Sequence, residues 1–533
     1  MNFDYVIIGA GTAGCVLANR LSANERNTVL LLEAGPHARS IWTRIPVGYF
    51  KTVFDPDLSW GYSTQAEPEL NGRQIVWPRG KLLGGTGAIN GMVYVRGQAA
   101  DYDRWGNDGN PGWHYDDVLP YFRKSEAQAE GNVVLSERWH NRSGPMTVSD
   151  YPDRHLLCDT FIEAARQAEI PHNTDFNGSD QHGAGYYQIT AKSGLRADTA
   201  SAFLRPVRNR KNLTVYCNTL LTKVLISEGR AHAVAVRQGD ATSLIKANRE
   251  IILSAGAINS PQILQQSGIG DPDHLRDIGV TPVLSRPAVG QNLQDHLQAQ
   301  LVYQCKLPVS LNDDLNSIWG KGRILARYLL QRRGPMAGGP APAGAFCKSD
   351  NQLDEPDLQF HFMPLSMARP GVVDTMSGFS FNVSQSRPLS RGSVRAISSD
   401  ARHKPDIRAN YLSEDVDQQV MVAGLKLGRH IARQPAFDRF RGEEKRPGPD
   451  IQSDAEFLDY ARSTATSIYH PVGTCRMGGD ADAVVDAQLR VCGLSGLRVA
   501  DASIMPSIPS GNTNAAVVMI AEKAADMIQS QRD

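Results

Sequence analysis

Three glycines open the chemistry of this chain: Gly9, Gly11 and Gly14 stand in the order G-x-G-x-x-G, and Glu33 follows 19 residues after the last of them. In a strand-to-helix turn Gly9 permits the tight bend, Gly11 lets backbone approach a pyrophosphate, and Gly14 lets helix and strand pack closely. Thr12 and Ala13 then begin a helix whose first N–H groups lack partners and suit a phosphate. A carboxylate at Glu33, followed by Ala34, stands where the ribose of an adenosine needs an acceptor. A glycine turn that only packs a helix on a sheet is the plainer alternative. Strand, helix and acid together favour a bound dinucleotide, and the turn alone does not separate NAD from FAD.

The elements around these residues agree with that use. Tyr5-Val6-Ile7-Ile8 reads as a buried parallel strand, a helix runs to about Leu21, and Thr28 to Glu33 reads as a second buried strand, which makes one β-α-β unit. From Pro36 to Asn90 the pattern breaks into Pro, Gly and aromatic residues, as long connections wrapping something. Gly194 to Arg210 reads as helix, Leu213 to Ile226 and Ala231 to Val236 as strands, and Glu250 to Gly256 repeats the strand-then-glycine order. Between Leu301 and Arg446 the runs Gln359–Phe362, Phe379–Val383 and Ser393–Ile397 alternate apolar with polar residues, as half-exposed antiparallel strands do. Gly334 to Pro342 is a loop or lid candidate. Leu497 to Asp501 then reads as a strand returning to the first lobe, and Asn514 to Ile528 as an apolar helix.

Bulk composition narrows the class. A chain of 533 residues exceeds one ordinary core, so two or more lobes are expected. Its 56 basic and 56 acidic side chains leave no net charge, and nucleic acid is not an expected partner. Seven scattered cysteines without a C-x-x-C pair fit a reducing compartment and no zinc site. There is no H-E-x-x-H helix and no G-x-S-x-G elbow, and no metal is expected. No apolar stretch reaches the roughly 20 residues that span a bilayer. A cytoplasmic protein is expected, with peripheral contact at the inner face of the cytoplasmic membrane left open.

The run Pro78-Arg79-Gly80-Lys81-Leu82-Leu83-Gly84-Gly85-Thr86-Gly87-Ala88-Ile89-Asn90-Gly91-Met92-Val93 resembles the first signature of the glucose-methanol-choline (GMC) oxidoreductases. Gly256–Pro261 through Ser267–Gly270, Tyr469–Gly478, Val499–Ser503 and Gly511–Asn514 resemble further motifs of that family, so the likeness spans nearly the whole chain. The resemblance implies an α/β fold (α+β overall): a discontinuous Rossmann-like FAD-binding domain plus a substrate-binding domain with a mainly antiparallel sheet. Residues 1–155, 193–300 and 456–533 would form the former, and 156–192 and 301–455 the latter. It implies FAD bound through Arg79, Gly84, Gly85, Thr86, Asn90, Gly91, Met92 and Val93, through Ala255 and Gly256, and through Asp501, Ala502, Thr513 and Asn514. Val224 would contact the adenine. Some members attach FAD covalently through a histidine just before the signature asparagine; here that residue is Ile89, so non-covalent FAD is expected.

The same resemblance implies oxidation of an alcohol by hydride transfer to flavin N5, with His470 of the HP-x-G-T motif as base and Asn512 orienting the alcohol oxygen. His296 reads as a structural hydrogen-bonding residue. Tyr469, Phe362 and Val93 would contact substrate, and the Gln359–Pro364 run favours a primary alcohol with an apolar tail, closest to bacterial alcohol and choline dehydrogenases. Choline itself, an aryl or furan alcohol, and a flavin-containing lyase of the same fold are the alternatives. The electron acceptor is expected to be oxygen or a quinone-type carrier.

Overall fold

The protein is described from a computed structural model, which covers residues 1–132, 135–369 and 371–530. Its first large sheet is built on the strand Asn2–Ile8, flanked in parallel by Val29–Leu32 and by the second half of Ala241–Leu253. Leu213–Tyr216 extends one edge beside Val29–Leu32, and Leu497–Val499 pairs in parallel with Ile251–Leu253. The first half of Ala241–Leu253 continues outward into an antiparallel ribbon with Arg230–Gln238 and Leu220–Ser227. Val6, Ile7, Leu30, Leu31, Ile251 and Ile252 are fully buried, as expected where both faces of a parallel sheet are covered. The helices Thr12–Leu21 and Asn514–Ser530 pack against each other. They are also joined by a two-pronged ion pair in which Arg20 meets the wholly buried Glu522 at 2.6 and 2.8 Å.

The second sheet is antiparallel, in the order Arg441–Arg446, Leu297–Cys305, Gly378–Gln385, Leu358–Met363, Ala343–Cys347, Gly183–Tyr186. Its alternation does not mean half exposure, because Leu358–Met363 and Gly378–Gln385 are buried along their whole length. One face carries Phe360, Phe362, Phe379 and Phe381 into an apolar core, where the Phe362 ring lies 4.7 Å from Phe161 of the helix Leu156–Gln167. The other face carries His361, Asn382, Gln298 and Gln300 toward a cavity between the two sheets. The polar positions therefore line a site, not the solvent.

Other departures are local. Gly194–Arg210 is helical only over Ala200–Val207, as a π-helical turn followed by a tighter one around Pro206, which has no N–H to donate to a longer helix. Ser393–Arg395 pairs only with Asp406–Arg408, as a ribbon apart from both large sheets. All seven cysteines are free. Among the described residues no helix is long and apolar enough to cross a membrane.

Candidate active site

A cavity of about 790 Å³ runs between the sheets, from the first glycine turn to the polar face of the second sheet. At the first end the chain is stripped of side chains for steric reasons. A Cβ on Gly14 would stand 1.9 Å from the Gly9 carbonyl oxygen, and one on Gly85, where φ is +55°, would stand 2.7 Å from Gly11 Cα. Two glycine backbones, Gly11 and Gly85, thus pack directly against each other in the cavity wall. Glu33 lies beside them, 6% exposed, accepting N–H groups from Ala10 at 2.9 Å and Gly35 at 2.8 Å. Burial pushes its carboxyl up to about 7, against the opposing pull of those amides and of Lys81.

Further along, Asp501 is spent on structure. One oxygen accepts from Gly256 N–H and Ser260 Oγ, the other from Ser503 N–H and Oγ, which ties the Leu497–Val499 strand end to the helix Gly256–Gln266. Thr12 Oγ1 donates to Asn514 Oδ1 at 2.9 Å, closing the cavity wall between residues 502 positions apart in the chain. Arg196 holds both the side chain and the carbonyl of Asn90 at 2.7 Å.

The expected catalytic pair meets at the second end. Asn512 Nδ2 lies 3.2 Å from His470 Nε2, and Asn512 Oδ1 accepts from Gln359 Nε2, which sets the amide with its NH₂ toward the histidine. His470 Nδ1 lies 3.0 Å from His296 Nδ1, while His296 Nε2 lies 2.9 Å from the Ser386 carbonyl oxygen. A carbonyl only accepts, so His296 carries its proton on Nε2 and its Nδ1 is an acceptor. His470 must then donate from Nδ1 and keep Nε2 bare. Burial holds His470 well below the ordinary imidazole range, with smaller contributions from His296, His361 and Arg79, and burial holds His296 down to about 4. The base is therefore neutral at physiological pH with its lone pair on the cavity side.

The backbone that presents His470 is strained and braced. Tyr469 has φ +68°, a conformation costly for a non-glycine residue. Its carbonyl accepts from Arg79 Nη2 at 2.6 Å, and its N–H donates to Ser467 Oγ at 2.7 Å. The His470 N–H donates to Asp295 Oδ1 at 2.6 Å, and the other Asp295 oxygen accepts the hydroxyls of Tyr411 and Ser467. Burial raises Asp295 to about 6 despite these donors.

Most of the expected site residues reach this cavity: Gly9, Gly11, Thr12, Ala13, Glu33, Ala34, Arg79, Gly85, Thr86, Asn90 to Val93, Ala255, Gly256, Asp501, Ala502, Asn512 to Asn514, Tyr469 and His470. Four do not line it. Gly14 acts through packing, and Gly84 sits at φ +97° behind the wall. Val224 is buried in the first core, and Leu221, at the end of the same strand that borders the cavity, takes the lining position. Phe362 is turned to the aromatic core, because neighbouring residues on a strand point to opposite faces; His361 and Met363 line the cavity instead. Gln298, Gln300 and Asn382 line it as well and carry no motif; only strand alternation marks them.

Comparison with known proteins agrees with this layout. Residues 3–298 and 388–521 match the N- and C-terminal models of the GMC oxidoreductases. The chain belongs to the GMC oxidoreductase family. It is similar to an oxygen-dependent choline dehydrogenase of Photobacterium profundum, 42% identical over 531 residues that cover 99% of this chain and 93% of that one. It is also similar to the human mitochondrial choline dehydrogenase, 41% identical over 99% of this chain and 90% of that protein. Among solved structures, pyridoxine 4-oxidase from Mesorbium loti superposes with a TM-score of 0.90 at 30% identity over the whole of both chains. As a GMC oxidoreductase, the protein is an FAD-dependent enzyme acting on CH–OH donors. The residues present fit that cofactor: Gly9, Gly11 and Gly85 keep this end of the cavity free of side chains, Glu33 retains acceptor capacity beside its two amide donors, and the same cavity reaches His470.

Proposed function

We propose that this GMC oxidoreductase oxidises a neutral primary alcohol that carries further hydrogen-bonding groups, releasing the aldehyde, with His470 as base. The observation that carries the reading is the bare Nε2 of a neutral His470, 3.2 Å from Asn512 Nδ2 in the cavity. Bound FAD supplies the two-electron acceptor for the alcohol carbon. His470 Nε2 takes the hydroxyl proton as the carbon is oxidised, and the resulting imidazolium passes its Nδ1–H toward His296 Nδ1. Asn512 Nδ2 donates to the alcohol oxygen and steadies the charge that grows there. The cofactor is held without a covalent link, since Ile89 offers no nucleophile.

Gln298, Gln300, Asn382 and His361 on the second sheet offer hydrogen bonds to the rest of the substrate, which redirects the expectation of a purely apolar tail. Choline is the second reading, supported by the names of the relatives. A buried quaternary ammonium calls for an aromatic cage or a carboxylate. Among the described lining residues the only acids are Glu33 and Asp501, both engaged with backbone donors, while Trp60, Tyr460 and Tyr469 offer aromatic surface that supports this second reading. Oxygen is the acceptor favoured by the bacterial relatives' printed name, and a quinone-type carrier is the alternative.

Anaerobic mixing with choline, simple 1-alkanols and hydroxylated primary alcohols tests the reading, followed by reoxidation with oxygen or a soluble quinone. The hydroxylated set bleaches the flavin fastest, and His470→Ala slows that bleaching by about 10² to 10⁴ with the FAD spectrum unchanged. No bleaching by any alcohol would favour the lyase, and fastest bleaching by choline would overturn the proposed substrate class.

A further inference from the structure

The helix Ile318–Gln331 turns most of its large apolar side chains outward. Ile318 is 87% exposed, Trp319 89%, Leu329 62% and Leu330 83%, with Leu325 also open, whereas only Gly320, Ile324 and Tyr328 are buried. The exposed set follows helical spacing, with 318, 325 and 329 along one line and 319 and 330 beside it, so it forms one stripe and not scattered surface residues. Isolated exposed leucines are ordinary; a contiguous stripe capped by tryptophan marks a surface that meets something apolar.

The charge beside the stripe says what that something is. Residues 318–333 contain Lys321, Arg323, Arg327, Arg332 and Arg333 and no acid, in a chain that is neutral as a whole. Arg323 pairs with Asp314 and Arg327 with Asp153, while Lys321, Arg332 and Arg333 make no ion pair among the described residues. A second copy docking by the same face would bring two basic clusters together. An anionic lipid surface complements both features at once, taking tryptophan and leucine below the headgroups and lysine and arginine among them.

The placement of this helix gives it a use. It packs on the short helix Leu311–Leu315, whose Leu311 packs against the cluster of Ala341, Met363 and Leu365, two of which, Ala341 and Met363, line the cavity. On its other side Tyr328 clusters with Ile45, Val47 and Ala337, next to the cavity-lining run that ends at Phe54. Phe54, Ala368, Arg369 and Gly371 line the cavity and are exposed, so they mark its rim.

We propose that the helix Ile318–Gln331 docks the enzyme on an anionic bilayer surface, lying in the headgroup plane with the cavity rim alongside. The binding is peripheral and independent of which alcohol is oxidised.

The FAD-loaded full chain is sedimented with sucrose-filled vesicles of phosphatidylglycerol and phosphatidylcholine, or of phosphatidylcholine alone. It binds the anionic vesicles about 100-fold more tightly at low salt, given a contribution of the order of tenfold or less from each of three free basic residues, and high salt weakens the binding. Trp319→Glu with Leu330→Glu abolishes sedimentation while leaving the FAD spectrum and solution turnover intact, since neither side chain lines the cavity. Three results would overturn the proposal: no sedimentation of the parent enzyme, equal sedimentation of the double variant, or light scattering that shows a parent dimer dissolved by those substitutions, which would assign the stripe to a second copy.

Discussion

His296 and His470 face each other through their Nδ1 atoms at 3.0 Å, and the Ser386 carbonyl behind His296 decides which of the two carries the shared proton. Removing His296 leaves the His470 Nδ1–H without its acceptor and frees the ring to turn. His296→Ala is expected to slow flavin reduction by about 10- to 100-fold, the scale seen when a metal-bound histidine loses its hydrogen-bonding partner. Apparent substrate affinity changes little, because His296 does not line the cavity. Stopped-flow reduction under anaerobic conditions separates the two constants; a loss confined to affinity would contradict the relay.

Adjacent residues of one strand are expected to fail in different ways. Phe362→Ala removes a ring stacked at 4.7 Å on Phe161 and costs about 3 to 5 kcal/mol of stability, with kcat and KM unchanged in the protein that folds. His361→Ala exchanges a cavity-lining ring and changes KM while the melting temperature moves far less. Equal melting losses in the two variants would mean that the sheet does not divide core from cavity.

How legible this was in the sequence differs between the two ends of the cavity. The glycine turn, Glu33 and the signature residues could be read because each is forced by sterics or chemistry at its own position: a Cβ at Gly14 has nowhere to go. The polar wall was not legible in the same way. His361, Asn382 and Gln300 become neighbours only when three strands far apart in sequence align in register, with His361 opposite Asn382 and Asn382 opposite Gln300. The alternation itself was visible, yet nothing in one dimension says whether a polar face meets solvent or substrate. The substrate contact that the resemblance implies for Phe362 falls one residue out of phase with the strand, whose cavity face carries His361.

Acidity acts on the buried histidines and carboxyls in opposite senses. His296 and His361 are held near 4 by burial, and His470 lies well below its usual range, against about 6.5 in the unfolded chain. Between pH 6.5 and 4 the unfolded state takes up their protons first, so these groups lower stability as pH falls. Asp295, raised to about 6, and Glu33, raised to about 7, take up protons first in the native state and oppose that loss. Asp295→Asn removes one opposing group, and its denaturation midpoint is expected to fall more steeply than the parent's from pH 6 to 4. Parallel curves would contradict the raised carboxyl. Turnover, in contrast, holds level down through pH 6.5, because His470 is already deprotonated there.

Ile89 is 1% exposed and packs with Leu58, Leu82 and Ala88 at the cavity wall. Acid precipitation of the holoenzyme is expected to leave a colourless pellet and a yellow supernatant. A yellow pellet would place a covalent bond elsewhere on the cofactor.

The hydrogen bond from Thr12 to Asn514 spans 502 residues. During synthesis at roughly 5 to 20 residues per second, the first glycine turn waits on the order of a minute before its opposite wall leaves the ribosome. The nascent chain therefore carries an open half-site until Asn514 has emerged, and tight loading of the cofactor waits for that residue. Ribosome-bound chains ending before Asn514 should emerge without flavin, because the wall that faces the first glycine turn is not yet present in them.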